Sequence, residues 1–306
     1  MSSLRFLPLL PIVGALLLTG ALPRHSRTST APSSALPPPA PVTGAAADPG
    51  ATEALDQALD ALAPARIGWL ETVVWQRVRL PEGSFQADGR YLLAPDRRFR
   101  LELHTRQGKT EGDLLVVRDD DVLWEGWRVG GTGWKGVNCI DVRQVLETLG
   151  NSAASREELL QARSFRGVTP LLRDLRERLT WVRRATIQLG GEPCLELTGV
   201  WRPGVLAKLL PGGQPWPNSL PTLCRLYLDA ASLWPRRVEW WGPSGRAAGK
   251  NAGGTLRLLA EMELRTPRFD QAIPDEVCAS EFRFDPGTTT VKDRTDEFIA
   301  EFAMRK

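Results

Sequence analysis

The chain has 306 residues, 42% of them apolar and 25% charged, an ordinary balance for a soluble globular protein and enough for one large domain or two small ones. The formal charge of +3 is spread unevenly: residues 1–50 hold three of the 39 Lys and Arg and one of the 36 Asp and Glu, leaving 36 against 35 in the rest. No basic stripe with interleaved aromatics stands out, so nothing points to a nucleic-acid partner.

The first element is an export segment. Arg5 supplies a positive start, and Phe6–Leu22 is apolar, broken by Pro8, Pro11, Gly14, Thr19 and Gly20. Thr19-Gly20-Ala21 offers a small-x-small cleavage site. A 17-residue run with two prolines is short for a membrane-spanning helix. Residues 1–22 are therefore expected to be a signal peptide, with an uncleaved anchor as the alternative, and the protein to be exported to the periplasm. No cysteine precedes Cys139, so the leader is not a lipoprotein signal. Residues 23–50, rich in Pro, Ala and Ser, read as a disordered linker.

The folded part is expected over 51–306. ATEALDQALDALAPARI is helical, with Leu55, Leu59 and Leu62 on one face and Pro64 ending it. WLETVVWQRVRL is a strand, turned by Pro81-Glu82-Gly83. Strands follow near 85–93 and 98–104; in the second, Phe99, Leu101 and Leu103 alternate with Arg98, Arg100 and Glu102, a period of two with one apolar face. A further hairpin covers 113–125. A helical insert near 141–180 contains Val142–Leu149, Arg156–Arg163 and TPLLRDLRERL, with Thr169 as N-cap and Pro170 in the first turn. Strands return at roughly 181–189, 194–201, 223–229, 235–241, 255–266 and 281–285, interrupted by an irregular Pro/Gly segment over 201–221 with one helical turn at Val205–Leu210. Short connections favour antiparallel pairing. The expected class is α+β, mainly β, with about ten or eleven strands.

Signatures of catalysis are thin. No nucleophile elbow, HExxH, P-loop or GxGxxG occurs. Asp119-Asp120-Asp121 reads as a solvated turn, and His104, on the charged face of its strand, as a surface residue. His25 and His104 are the two histidines, leaving few ligands for zinc. No cofactor is implied. Of the four cysteines, Cys194 and Cys224 both fall in strand-like segments and are the favoured disulfide; four buried thiols are the alternative. Eleven tryptophans against two tyrosines suggest core packing or an apolar wall.

Five short motifs, in order, carry a resemblance to the LolA-like periplasmic lipoprotein carriers. They are an aromatic and glutamine at Trp75-Gln76, then Gly89 with Pro95 and Phe99, then VRDDDVLW (Val117–Trp124). Next come a helix headed by Thr169-Pro170 and the ending FRFDPGTTTVKD (Phe282–Asp293). Ala94 stands where that family often has a basic residue tied to lid control, so Arg97 or Arg98 would have to supply the gating. The resemblance implies a single curved antiparallel sheet, an incomplete barrel whose concave face is covered by helices and lined by apolar side chains. Val74, Phe99, Leu101, Leu103, Trp124, Val238, Trp240, Met262 and Leu264 are the expected lining. It also implies a non-enzymatic carrier of acylated lipoprotein or lipid, working between an inner-membrane donor and an outer-membrane acceptor. The alternative is a membrane-tethered lipid-sensing or interaction module on the same fold.

Overall fold

In the computed structural model, residues 46–63, 67–80, 83–94, 98–119, 121–131, 133–149, 167–210, 216–244, 256–270, 272 and 279–303 are described. The leader, nearly all of the linker, Pro64, Pro81, Arg97, the expected helix at Arg156–Arg163, residues 211–215 and Cys278 lie outside them.

The alternating patterns become one twelve-stranded sheet, ordered β12-β6-β5-β4-β3-β2-β1-β11-β10-β9-β8-β7. The first half is a meander of β1 (Trp69–Leu80), β2 (Gly83–Leu93), β3 (Phe99–Gln107), β4 (Thr110–Asp119), β5 (Val122–Val129) and β6 (Gly136–Asp141). The second half is a meander of β7 (Leu179–Leu189), β8 (Glu192–Trp201), β9 (Leu223–Asp229), β10 (Pro235–Pro243) and β11 (Leu256–Asp270). Antiparallel pairing of β1 with β11 joins the halves, and β12 (Val291–Asp293) adds to β6 in parallel. The order is open, with β12 at one edge and β7 at the other.

That topology dictates where the helices go. β6 and β7 are consecutive strands at opposite ends of the sheet, so the chain between them must cross it. The crossover includes α2 (Val142–Leu149) and α3 (Val168–Arg178). The first helix, α1 (Pro49–Ala61), packs on β7 and α3, whereas α5 (Thr295–Ala303) packs on α2 and β6; a short α4 (Pro203–Leu209) follows β8. One apolar cluster unites the inner faces of the sheet with α1, α2 and α3, through residues such as Leu55, Val145, Leu172 and Leu175.

Local chemistry explains several boundaries. Asp48 caps α1 by accepting from the N–H groups of Gly50 and Ala51, so ordered structure begins slightly ahead of the expected Ala51. The α3 N-cap is Gly167 rather than Thr169; Thr169 instead donates its hydroxyl to the Leu62 carbonyl, tying the end of α1 to α3. Gly167 has φ +124, and a Cβ there would fall 2.1 Å from the Tyr91 hydroxyl, so a side chain is excluded on two counts. Gly89 allows β3 to approach: a Cβ on it would lie 1.7 Å from the Glu102 carbonyl oxygen. A bulge at Thr266-Pro267, with Thr266 at φ 48, shifts the β1–β11 register between Glu71 and Val73. It places Pro267, which has no N–H to give, where the ladder is already interrupted.

β6, β12 and α5 were not expected from the sequence. The strand expected at 281–285 is instead a 3-10 turn, Ala279–Phe282, leading into a strap against the outer face. Phe282 is buried with Trp69, Leu92 and Ala94, meeting the Trp69 ring edge-on at 6.1 Å. Two residues on, Phe284 stacks on Trp124 at 5.5 Å. The period of two that suggested a strand is real, but it serves to set both rings on the same surface.

Candidate ligand-binding face

Register fixes which side chains share the concave surface. On β1 the even positions Leu70, Val74 and Val78 belong to the main apolar cluster, whereas Trp69 belongs to the outer one. From there the inner rows follow by pairing. Gln76 is opposite Met262, which is opposite Val238, then Leu226 and Leu197. Val78 is opposite Ala260, which is opposite Trp240 and then Cys224.

Of the nine side chains expected to line this face, eight are brought together here. Val74, Phe99, Leu101, Leu103, Val238, Trp240, Met262 and Leu264 are all buried in the one cluster. Trp124 is the exception. Leu123 and Trp127 take the inner positions of β5, which turns Trp124 outward onto Phe284. Face choice on β5 was ambiguous in sequence because Leu123, Trp124 and Trp127 put large apolar residues on both sides.

Two other expectations are corrected. Cys194 and Cys224 are free thiols. In the β8–β9 register Cys194 is opposite Asp229 and Cys224 is opposite Gly199, five positions apart. They also face opposite ways: Cys224 is in the inner cluster and Cys194 is in an outer one with Leu189 and Tyr227. No bond can span that separation. Burial raises the Cys224 thiol well above its ordinary value, with the Glu239 charge adding to the effect, so it is inert at neutral pH. Arg98 is also misplaced for gating. Its guanidinium lies 5.0 Å over the Phe282 ring, on the outer surface.

The inner wall is closed by its own helices. α1 contributes three alanines, Ala51, Ala54 and Ala58, and α3 contributes Leu172 and Leu175. A shallow crevice lined by Leu179, Trp201, Pro221, Leu223, Cys224 and Trp240 has no room for even a water molecule. Ligand pockets span about 300–1,000 Å³, so a lipid chain needs this face to open.

Polar atoms on the wall are few. Thr72 and Thr105 satisfy their hydroxyls on the Arg265 and Gly112 carbonyls. Trp201 and Trp234 donate to the Pro221 and Leu264 carbonyls. Gln76, 2% exposed, has no partner for its carbonyl oxygen, and the indole N–H groups of Trp181 and Trp240 have none either. In the sequence Gln76 was visible as a motif member, but nothing in a one-dimensional pattern showed that it lacks a partner.

The outer face is chemically different. Two rows of charge cross it: Arg77, Glu261, Glu239 and Arg225 in one, and Trp75, Glu263, Arg237, Tyr227 and Glu196 in the next. Arg77 pairs with Glu261 and Arg237 with Glu263, while Tyr227 donates to Glu239 at 3.0 Å. Burial raises the Glu261 carboxyl above its usual range despite the opposing Arg77. His104, 2.9 Å from Asp113, is part of a similar surface row with Arg128. Asp119-Asp120-Asp121 falls at the β4–β5 turn, Asp120 itself being outside the described residues. Among the described residues, no three His, Cys, Asp or Glu side chains converge as a metal-ligand set, and no helix is long and apolar enough to cross a membrane.

No protein-family model matches the chain, and no curated protein matches it. Solved structures do match. MucB of Pseudomonas aeruginosa, in its complex with MucA, is 12% identical over 76% of this chain, with a TM-score of 0.37. This chain spans 62% of that protein's length. A putative outer membrane lipoprotein-sorting protein domain from Vibrio parahaemolyticus is 11% identical over 76% of this chain and 95% of its own, with a TM-score of 0.27. A LolA superfamily protein from Nitrosomonas europaea is 13% identical over 74% of this chain and 96% of its own, with a TM-score of 0.22.

Proposed function

We propose that this chain is a divergent LolA-like carrier. It binds the acyl chains of a lipid or lipoprotein on the concave face of its sheet and moves them, without chemistry, through the cell envelope. An inner-membrane donor would load it and an outer-membrane acceptor would unload it. The observation that supports this most is the contrast between the two faces. The concave face carries one apolar cluster with members on each strand from β7 to β6, while the other face carries paired charge. That surface is covered by helices rather than by a second sheet, and α1 meets it through Ala51, Ala54 and Ala58 together with Leu55. Small side chains interlock weakly, so a modest displacement of α1 and α3 would uncover a wall of Val, Leu, Met and Trp. Each methylene buried there is worth about 0.8 kcal/mol, so a sixteen-carbon chain gains on the order of 10 kcal/mol over water. That gain offsets the loss of helix packing and leaves binding reversible, as a carrier needs.

Native mass spectrometry of the full-length protein expressed with its leader, followed by denaturing extraction, is the test. Near-stoichiometric phospholipid, fatty acid or acylated peptide is expected. A protein that is empty, and that also fails to take up a fluorescent fatty acid, would refute the reading. The same spectrum reports whether residues 1–22 are removed, as a diffusing carrier requires and a tethered module does not.

A further inference from the structure

We infer that Gln76 makes the concave face selective for acyl chains joined to their head group through an amide, over those joined through an ester. The inference rests on the carrier reading above. Gln76 is at an inner position near the middle of β1, with Val74 and Val78 on either side and Ala87 and Met262 opposite. Every one of those neighbours is apolar and buried. A buried amide oxygen without a donor is a cost that a leucine or methionine would not incur. Elsewhere on the wall Thr72, Thr105, Trp201 and Trp234 are satisfied on main-chain carbonyls, while Trp181 and Trp240 keep unpartnered indole N–H groups.

The unmet group is an acceptor, so what it lacks is an N–H or O–H. A fatty ester brings acceptors alone, while a secondary amide brings an N–H beside its carbonyl. The wall offers something to that carbonyl too. Trp240 is opposite Ala260, which is opposite Val78, so its unpartnered indole N–H is one inner row along and two strands over from Gln76. On pleated-sheet spacing that is about 12 Å between Cα positions. Met262 and Ala260 of β11 lie between them, and Trp240 borders the crevice at Trp201 and Cys224. With the face open, an amide along this wall would meet an indole donor at Trp240 and an acceptor at Gln76. An ester would satisfy the first and leave the second bare.

The test displaces a bound fluorescent fatty acid from the full-length protein with either N-methylpalmitamide or methyl palmitate, which differ by one N–H. The wild type is expected to prefer the amide by about tenfold, the scale of one buried hydrogen bond made rather than left unmade. Gln76→Met, close in volume, is expected to bring the two ligands within about twofold by weakening the amide and not the ester. It should also raise the melting temperature, because an orphaned polar atom has been removed; a purely structural glutamine would lower it. Equal affinities in the wild type, or a preference that survives in Gln76→Met, would overturn the inference while leaving the carrier reading intact. A protein that does not bind the fluorescent fatty acid at all would overturn both.

Discussion

Asp229 shows how one carboxylate shapes a turn and a pH dependence together. Its side chain accepts from the backbone N–H groups of Ala231 and Ser232 and from the Ser232 hydroxyl, closing the β9–β10 connection. The Ser232 N–H holds the carboxyl below its ordinary value, with the Ser232 hydroxyl, the Ala231 N–H and Arg236 adding to this against the opposing effect of burial. A depressed folded value means stability that is present above the unfolded carboxylate pKa, about 3.9, and lost as pH falls through the lower folded one. Asp229→Asn is therefore expected to cost about 1 kcal/mol at pH 7 and little at pH 2, flattening the acid limb of the stability profile. Urea titrations at both pH values check it; an unchanged acid limb would show that the turn does not depend on the charge.

The elements matter for how the apolar face opens. Asp48 caps α1 and also clasps the free edge of the sheet, its N–H donating to the Trp181 carbonyl at 2.8 Å and its carboxylate accepting from the Arg184 N–H at 2.9 Å. α1 is in turn tied to α3 by the Thr169–Leu62 bond and by an Arg176–Asp56 ion pair at 2.7 Å. These bonds couple the two helices to each other and to β7, so displacing one would draw on the other. Asp48→Ala removes the cap and half of the clasp. It is expected to lower stability by about 1–2 kcal/mol and to speed entry of a fluorescent fatty acid in stopped-flow measurements several-fold; unchanged entry would place the opening elsewhere. Little of this was legible in sequence. Leu55, Leu59 and Leu62 announced the helix, and the period of two announced nearly every strand, because both patterns follow from which face meets the core. The clasp did not show, because it depends on where α1 lands against β7. The face of Trp124 did not show either, because both sides of β5 are apolar. Phe282 and Phe284 misled for the opposite reason: two rings two residues apart fit a strand and a strap equally well.

At the scale of the whole molecule, two meanders are sealed side by side at β1 and β11, strands nearly two hundred residues apart, while β7 is left at one edge and β6 near the other, beside β12. The described helices of the crossover between them, α2 and α3, pack into the inner cluster and so help to cover the apolar face. The curved open sheet with helices over it was the architecture that the motifs resembled, and eight of the nine expected wall residues share one cluster in it. In the proposed carrier an acyl chain occupies that face by displacing α1 and α3. Hydrogen–deuterium exchange of the full-length protein with and without palmitate addresses it most directly. Faster exchange in α1 and α3 on binding, with the β2–β3 and β9–β10 amides unchanged, is the predicted result. Stoichiometric binding that leaves both helices as protected as before, or that perturbs the Phe282–Phe284 strap instead, would contradict it.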